Sequence, residues 1–427
     1  MRRGFMKIFT FASALIFSVT VLGQESAKDD LNSLVIEALA NNPELAAMRS
    51  SWAAAQFKVA ESAAIDPPLA GVEFYQVPTK NFPSLKDNQE TDYFVSQMIP
   101  FPGKLYENKK SAKNSALMSF HDYSAAIRRV VADLKTAYYG LYFVQQKAVV
   151  NRENQKLLEN FAQIARRQYE VGIANQADFL RAETELASLR KEGLAIEQER
   201  IAAEARLNQL LGRSGEKSFG EIKEIESDLP DWTFEQLMPI ARENNHELSS
   251  RKLGVEMSRI ELAYARQDLA PDFMLKGTYK DMEMSQDYWA LMVGVTLPVA
   301  PWSGTKYFSR VRQSELMITK AEREYDNQEN MVAADLRTTL AKISTGKRQL
   351  ELYRNDLVPQ AEQTLRSTIS AYSTGKTEFL MVIDAYKMAQ MAKIDYAMTR
   401  MNYMSSQAEL EEIVGLSAED IKAKVGQ

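Results

Sequence analysis

The chain has 427 residues, no Cys, only two His, 26% charged and 45% hydrophobic residues, and a formal charge of -5. Without Cys there is no disulfide framework, thiolate metal site or cysteine nucleophile, and two histidines leave little for imidazole zinc sites or Ser-His triads. The 18 Gly and 13 Pro, about 4% and 3% of the chain, fall below average usage, so long regular elements with few turns are expected.

Residues 1–23 read as a secretory signal peptide. Arg2, Arg3 and Lys7 precede an apolar run from Ile8 to Leu22, and Gly23 offers a small residue for cleavage. The run falls short of the about 20 apolar residues that span a bilayer. Removal of the leader takes the formal charge from -5 to -8, so the exported chain is acidic and nucleic acid is a poor partner. No later stretch approaches a transmembrane helix, which leaves a β-barrel as the only way into a membrane.

The chain is written twice. Asn41-Asn42-Pro43-Glu44-Leu45 recurs as Asn244-Asn245-His246-Glu247-Leu248. The same offset of 203 pairs Pro68 with Pro271, Tyr169 with Tyr372, Gly172 with Gly375, Leu207 with Leu410 and Gly212 with Gly415. A single fixed offset across nearly the whole chain argues for duplication. Residues 24–212 are read as a first repeat and 233–415 as a second. An inter-repeat segment, 213–232, lies between them, and a C-terminal tail, 416–427, follows.

Each repeat opens with an Ala-rich helical stretch, Leu31 to Ala64 and Phe234 to Asp268, stopped by Pro67-Pro68 or Pro271. Two alternating segments follow, in hairpins at about 68–100 and 271–298. From Phe273, the residues Phe273, Leu275 and Tyr279 share one face, and Met274, Lys276, Thr278 and Lys280 the other. Trp289, Leu291, Val293, Val295 and Leu297 alternate with Met292, Gly294 and Thr296 in the same way. Four strands of about ten residues suit a tilted bilayer crossing; alternation alone equally fits hairpins packed on helices.

A very long helix follows each hairpin. Ile127, Val130, Leu134, Ala137, Leu141, Val144 and Ala148 recur every three or four residues, and between Lys104 and Gln168 there is no Pro, so a helix near 100 Å long is predicted. It ends at Tyr169-x-x-Gly172, and a second helix returns from about Ala177 to Leu211. The second repeat shows the same plan: a helix from about Gly304, a kink near Pro359, a turn at Tyr372-x-x-Gly375 and a return to Val414.

This arrangement resembles the TolC family of outer-membrane efflux proteins over nearly all of the mature chain. The match rests on Tyr169-x-x-Gly172 with Asp178 and Ala182, on Tyr372-x-x-Gly375 with Asp384 and Ala385, on the closing Leu207–Gly212 and Leu410–Gly415 segments, and on Ile99-Pro-Phe-Pro-Gly-Lys104. The resemblance implies a mainly α chain with a membrane β-barrel part: duplicated coiled-coil helical hairpins plus four strands, in a homotrimer that closes a twelve-stranded barrel continuous with an α-helical tunnel. Physics agrees, because an open four-stranded sheet in lipid leaves its edges unpaired, and a 100 Å hairpin cannot bury its seams within one chain. The implied site is the outer membrane with a periplasmic helical part. The implied role is the channel of a tripartite efflux or type I secretion system, working with a periplasmic adaptor and an inner-membrane pump. With no Cys to acylate, the barrel alone is expected to hold it in the membrane.

A conduit needs no catalytic residue, metal or cofactor, and none is assigned. The resemblance implies a periplasmic gate at the helix tips, here Tyr372, Lys376 and Asp384 with Asp178. Asp384 keeps an acidic position, while Met381 stands where the first repeat has Asp178. The tips, Tyr169, Gly172 and Gly375, are expected to meet the adaptor. Met388, Met391, Met398, Met401 and Met404 lie three or seven apart on one helix, spacing that suits soft-metal ligands but is first expected of a packed seam. The Ile-Pro-Phe-Pro-Gly-Lys segment looks like the heavy-metal Cus and Czc branch. Gly212-Arg-Ser-Gly-Glu-Lys217-Ser218 is no phosphate loop, having two residues rather than four between its glycines. The alternative reading is an exported periplasmic coiled-coil scaffold or adaptor without a pore.

Overall fold

The computed structural model describes residues 30–75, 77, 88–172, 175–214, 217–222, 230–283, 285–298, 302 and 304–426. The expected leader, 1–23, lies outside the described residues.

The helical stretch at the start of each repeat is two helices rather than one. Helix α1 (Leu31–Asn41) stops at Asn42, whose ψ of 123° is extended, and α2 (Pro43–Glu61) begins beyond it. A proline disfavours helical backbone in the residue before it, which accounts for the first break. The second repeat breaks at the same place without a proline: α5 (Phe234–Asn244) ends at Asn245, and α6 (His246–Gln267) follows. The shared cause is the asparagine. Asn42 accepts from the amides of Glu44 and Leu45 and Asn245 from that of Leu248, so each side chain caps the second helix of its pair.

Four strands, β1 (Leu69–Tyr75), β2 (Glu90–Ile99), β3 (Phe273–Met282) and β4 (Tyr288–Val295), form one antiparallel sheet in chain order. The register places Tyr93 opposite Tyr279 and Ile99 opposite Phe273, so the two repeats meet along the β2–β3 ladder. Period-two alternation gives the sheet two different faces. One carries Val72, Tyr93, Val95, Leu275, Trp289, Leu291 and Val293, with Leu291 86% exposed in the isolated chain. The other is polar and paired. Lys276 reaches Glu73 at 3.3 Å and sits 4.0 Å from the centre of the Phe94 ring, and Lys280 bonds Glu90 and Asp92.

Helix α3 (Pro102–Glu170) is 69 residues long, about 100 Å at 1.5 Å per residue. Its expected seam is buried at Val130, Leu134, Leu141 and Val144, and α2, α4 (Gln176–Leu210), α6 and α9 (Phe379–Val414) all pack on it. In the second repeat, α7 (Gly304–Leu352) and α8 (Val358–Ser373) are joined by a π-helical turn, Tyr353–Leu357. Pro359 lacks an amide and clashes with the preceding turn, and the wider turn absorbs it, so the predicted kink is a π-bulge. The tail contains α10 (Ala418–Val425), docked through buried Ile421 beside Leu237 of α5. Phe219 and Ile222 of the inter-repeat segment are buried in the same core as Leu134 and Leu211. Among the described residues, no helix is long and apolar enough to cross a membrane.

The Ile99–Lys104 corner is where strand turns into helix. Lys104, 8% exposed, bonds Asp272 at 2.9 Å, and Asp272 also accepts from the Phe101 amide at 2.8 Å. This joins the base of the first repeat's hairpin to the start of the second repeat's strand.

Candidate functional site

The tips of the two helical hairpins lie side by side and share a core. Leu158, Phe161, Ala182 and Leu186 of the first hairpin pack with Tyr372, Phe379, Val382 and Tyr386 of the second. Each tip turns on a glycine in the left-handed region, Gly172 at φ 77° and Gly375 at φ 71°. A β-carbon at either would meet nothing within 4 Å, so backbone conformation rather than space requires glycine. At Gly375 the Lys376 amide bonds the Ala371 carbonyl and the Gly375 amide bonds the Tyr372 carbonyl, both at 2.9 Å, in a Schellman-type close.

The predicted site residues fall into two groups. Tyr372 is buried, its ring 5.5 Å from that of Phe379, and its hydroxyl has no hydrogen-bond partner among the described residues. Burial first, and then the Asp178 carboxylate in the first turn of α4, push the Tyr372 phenol above its ordinary range. Lys376 and Asp384 are exposed, and among the described residues neither joins an ion pair. Tyr169, the first repeat's counterpart of Tyr372, is 44% exposed. The pair related by the 203-residue offset therefore differs: one tyrosine fills the tip core and the other faces outward. Val171, Leu180, Leu380 and Met381 extend the exposed apolar surface of the tips.

The packed seam expected of the α9 methionines holds only at one end. Met404 is buried and Met401 packs on the core, but Met388, Met391 and Met398 are exposed. The three-and-seven spacing drifts around a straight helix, and only Met401 and Met404 turn toward the core that holds Leu134 of α3.

Sequence reasoning missed the paired asparagines at the helix breaks. The side-chain amide of Asn42 donates to the Leu210 carbonyl and that of Asn245 to the Ile413 carbonyl, each at 2.8 Å. The repeated Asn-Asn-x-Glu-Leu segment was the available signal. It marked the duplication without showing what it bonds.

The profile of the family described as "Outer membrane efflux protein" matches residues 34–213 and again 237–416. The chain belongs to the outer membrane efflux protein family. The second match begins and ends 203 residues after the first, the offset of the sequence repeat. Outer membrane protein TolC of Vibrio cholerae is 20% identical over 78% of this chain and 79% of its own. The cobalt-zinc-cadmium resistance protein CzcC of Cupriavidus metallidurans is 19% identical over 73% and 75%. In fold, the outer-membrane channel OprN superposes with a TM-score of 0.79 at 17% identity, over 91% of this chain and 90% of that one. Channels of this kind are trimers in which four strands per chain build the barrel and long helices the periplasmic tunnel. The chain is accordingly an outer-membrane efflux channel, and family membership decides against a poreless scaffold. Members of the family are channels rather than enzymes.

Proposed function

We propose that three copies of this chain form a homotrimeric exit duct, closed at its periplasmic end by the helix tips and fed by a periplasmic adaptor and an inner-membrane pump. The observation that carries the proposal is the two-faced sheet. Its apolar face suits lipid, its ion-paired face suits an aqueous lumen, and its free edges on β1 and β4 require neighbouring sheets. The leader, 1–23, is removed on export, and residues 24–212 and 233–415 act as the two pseudo-equivalent halves, a division supported by the two profile matches.

At the tip, Asp384 and Lys376 are the charges free to act in the gate. Three Asp384 carboxylates around the trimer axis attract cations. Tyr372 contributes by packing on Phe379 and setting the turn that carries Lys376, with Asp178 as its electrostatic neighbour. Tyr169, Gly172 and Gly375 form the exposed tips offered to the adaptor. The cargo is a small molecule or a metal ion; likeness to the cobalt-zinc-cadmium resistance protein supports the second.

Two measurements test the proposal. Outer-membrane fractions should yield a heat-dissociable trimer on gels, and a soluble monomer in the periplasmic fraction would overturn the duct. In reconstituted single-channel records, Asp384→Ala should raise conductance and relieve block by added divalent cations. Unchanged records would remove Asp384 from the gate.

A further inference from the structure

The charges on the polar face of the sheet do not balance. The register puts Glu73, Asp92 and Lys280 in one cross-strand row, and Glu90 and Lys276 lie two and four residues along the same face. Three carboxylates therefore oppose two ammonium groups, a net charge of -1 on this face of each chain.

Both lysines are held against the wall. Lys276 sits between the Glu73 carboxylate, 3.3 Å away, and the face of the Phe94 ring, 4.0 Å from its centre. That ring lies over Gly71, where a β-carbon would come within 2.6 Å of it. Lys280 bonds Glu90 and, at 3.1 Å, Asp92, with the Tyr75 and Tyr288 rings 5.4 and 5.9 Å away. Cations gripped by carboxylates and ring faces are fixed counter-charges.

The excess negative charge has a definite place. Glu73 has Lys276 to itself, whereas Glu90 and Asp92 share Lys280. Asp92 is 3% exposed, and its second oxygen is buried with no hydrogen-bond partner among the described residues. Part of its charge is left uncancelled by the protein. The exposed rings of Tyr75 and Tyr288 stand on the same face and offer π surfaces to the same sign of charge.

Twelve strands about 4.8 Å apart and tilted by about 40° close into a wall of radius about 12 Å. Charges are screened over about 10 Å in 0.1 M salt and about 30 Å in 0.01 M. In dilute salt the wall charge therefore reaches the barrel axis.

We propose that the barrel is itself a charge filter, in which the Glu90–Asp92–Lys280 cluster favours cations, so that cationic cargo, organic cations included, passes ahead of anionic cargo of equal size. The inference rests on reading the polar face as the lumen of the duct. It is separate from the gate, because the filter lies in the strands and not at Asp384.

The test is the reversal potential of the reconstituted trimer across a KCl gradient in dilute salt. The unmodified channel should favour K⁺ over Cl⁻, and Asp384→Ala should keep that preference. Glu90→Gln combined with Asp92→Asn takes the strand charge from -1 to +1 per chain and should reverse the preference to Cl⁻. Lys276→Met keeps a stem over Phe94, leaves Glu73 at 39% exposure in water and takes the charge to -2, so it should strengthen the preference for K⁺. Recovery of heat-dissociable trimer identifies the variants that fold. An unmodified channel that favours Cl⁻, or a preference left unmoved by either variant that folds, overturns the filter and leaves the duct standing. Loss of the preference in Asp384→Ala assigns it to the tip and overturns the filter as well. A chain that forms no conducting trimer overturns duct and filter together.

Discussion

Asn245 donates its side-chain amide to the carbonyl of Ile413 at 2.8 Å, and 203 residues earlier Asn42 does the same to Leu210. Each bond closes the return helix of a repeat onto the break between its first two helices. Next to each sits a left-handed glycine. A β-carbon on Gly212 would lie 2.4 Å from the Asn41 carbonyl oxygen, and one on Gly415 would lie 2.3 Å from that of Asn244. Asparagine, glycine and carbonyl form one joint, built twice.

Loss of either asparagine removes a cap and the donor to the Leu210 or Ile413 carbonyl, so Asn42→Ala and Asn245→Ala should each cost about 1–3 kcal/mol. Gly212→Ala and Gly415→Ala should cost more, because a backbone clash adds to φ values of 67° and 80°. Gly172→Ala and Gly375→Ala, with open space around them, should cost only the conformational strain of about 1–2 kcal/mol. Thermal dissociation of the trimer ranks the six variants. Equal losses at all four glycines would contradict the close-approach account.

Adjacent residues of β4 point to opposite faces of the sheet. Leu291→Arg places a charge on the apolar face and should cost about 2–4 kcal/mol if it lies near the bilayer midplane. The trimer recovered from outer membranes should fall accordingly. Met292→Arg, one residue on and paired with Lys276 on the polar face, should assemble near wild-type levels. The reverse order would mean that the faces are misassigned.

The Tyr372 hydroxyl is buried and has no hydrogen-bond partner among the described residues. Tyr372→Phe should therefore leave stability unchanged or slightly raised, whereas Tyr372→Ala should cost about 3–5 kcal/mol and loosen the tip core. In channel records the alanine variant should leak and the phenylalanine variant should stay closed. Leakage from Tyr372→Phe would show that the hydroxyl ties the tip to a neighbouring subunit.

Glu412 and the two histidines, all partly buried, give stability opposite dependences on pH. Burial first, then Asp133 and Glu247, hold the Glu412 carboxyl above its ordinary range, so the fold resists its ionisation and stability falls as pH rises through that window. Glu412→Gln should raise the melting temperature at pH 7, and the gain should vanish on acidification. His121 and His246 are held below 6.5, so the unfolded chain takes up their protons first and stability falls as pH drops beneath that value. In His121→Gln the loss below pH 6.5 should shrink. Melting curves between pH 4 and 8 check both signs.

Much of the plan was legible because long-period patterns survive without knowledge of contacts. The α3 seam, the two faces of β3 and β4, the Tyr-x-x-Gly turns and the offset of 203 are local or arithmetic features. The breaks at Asn42 and Asn245 were not, because helix-forming flanks favour an unbroken helix and only the distant Leu210 and Ile413 carbonyls reward the asparagines for leaving it. The α9 methionines misled for a related reason. Spacing shows that residues share a helix face, but the neighbours that face meets are set by packing.

By itself the sequence determined the duplication, the long helices, the two-sided strands and the cysteine-free character of the chain, since these follow from composition and period. Only the tertiary structure decided that Tyr372 faces inward while Tyr169 faces out, that Lys104 and Asp272 join the repeats at the base of the sheet, and that the two histidines converge. Those outcomes depend on which helices lie beside one another. That is fixed by burial of whole faces across the chain rather than by any residue's local preference.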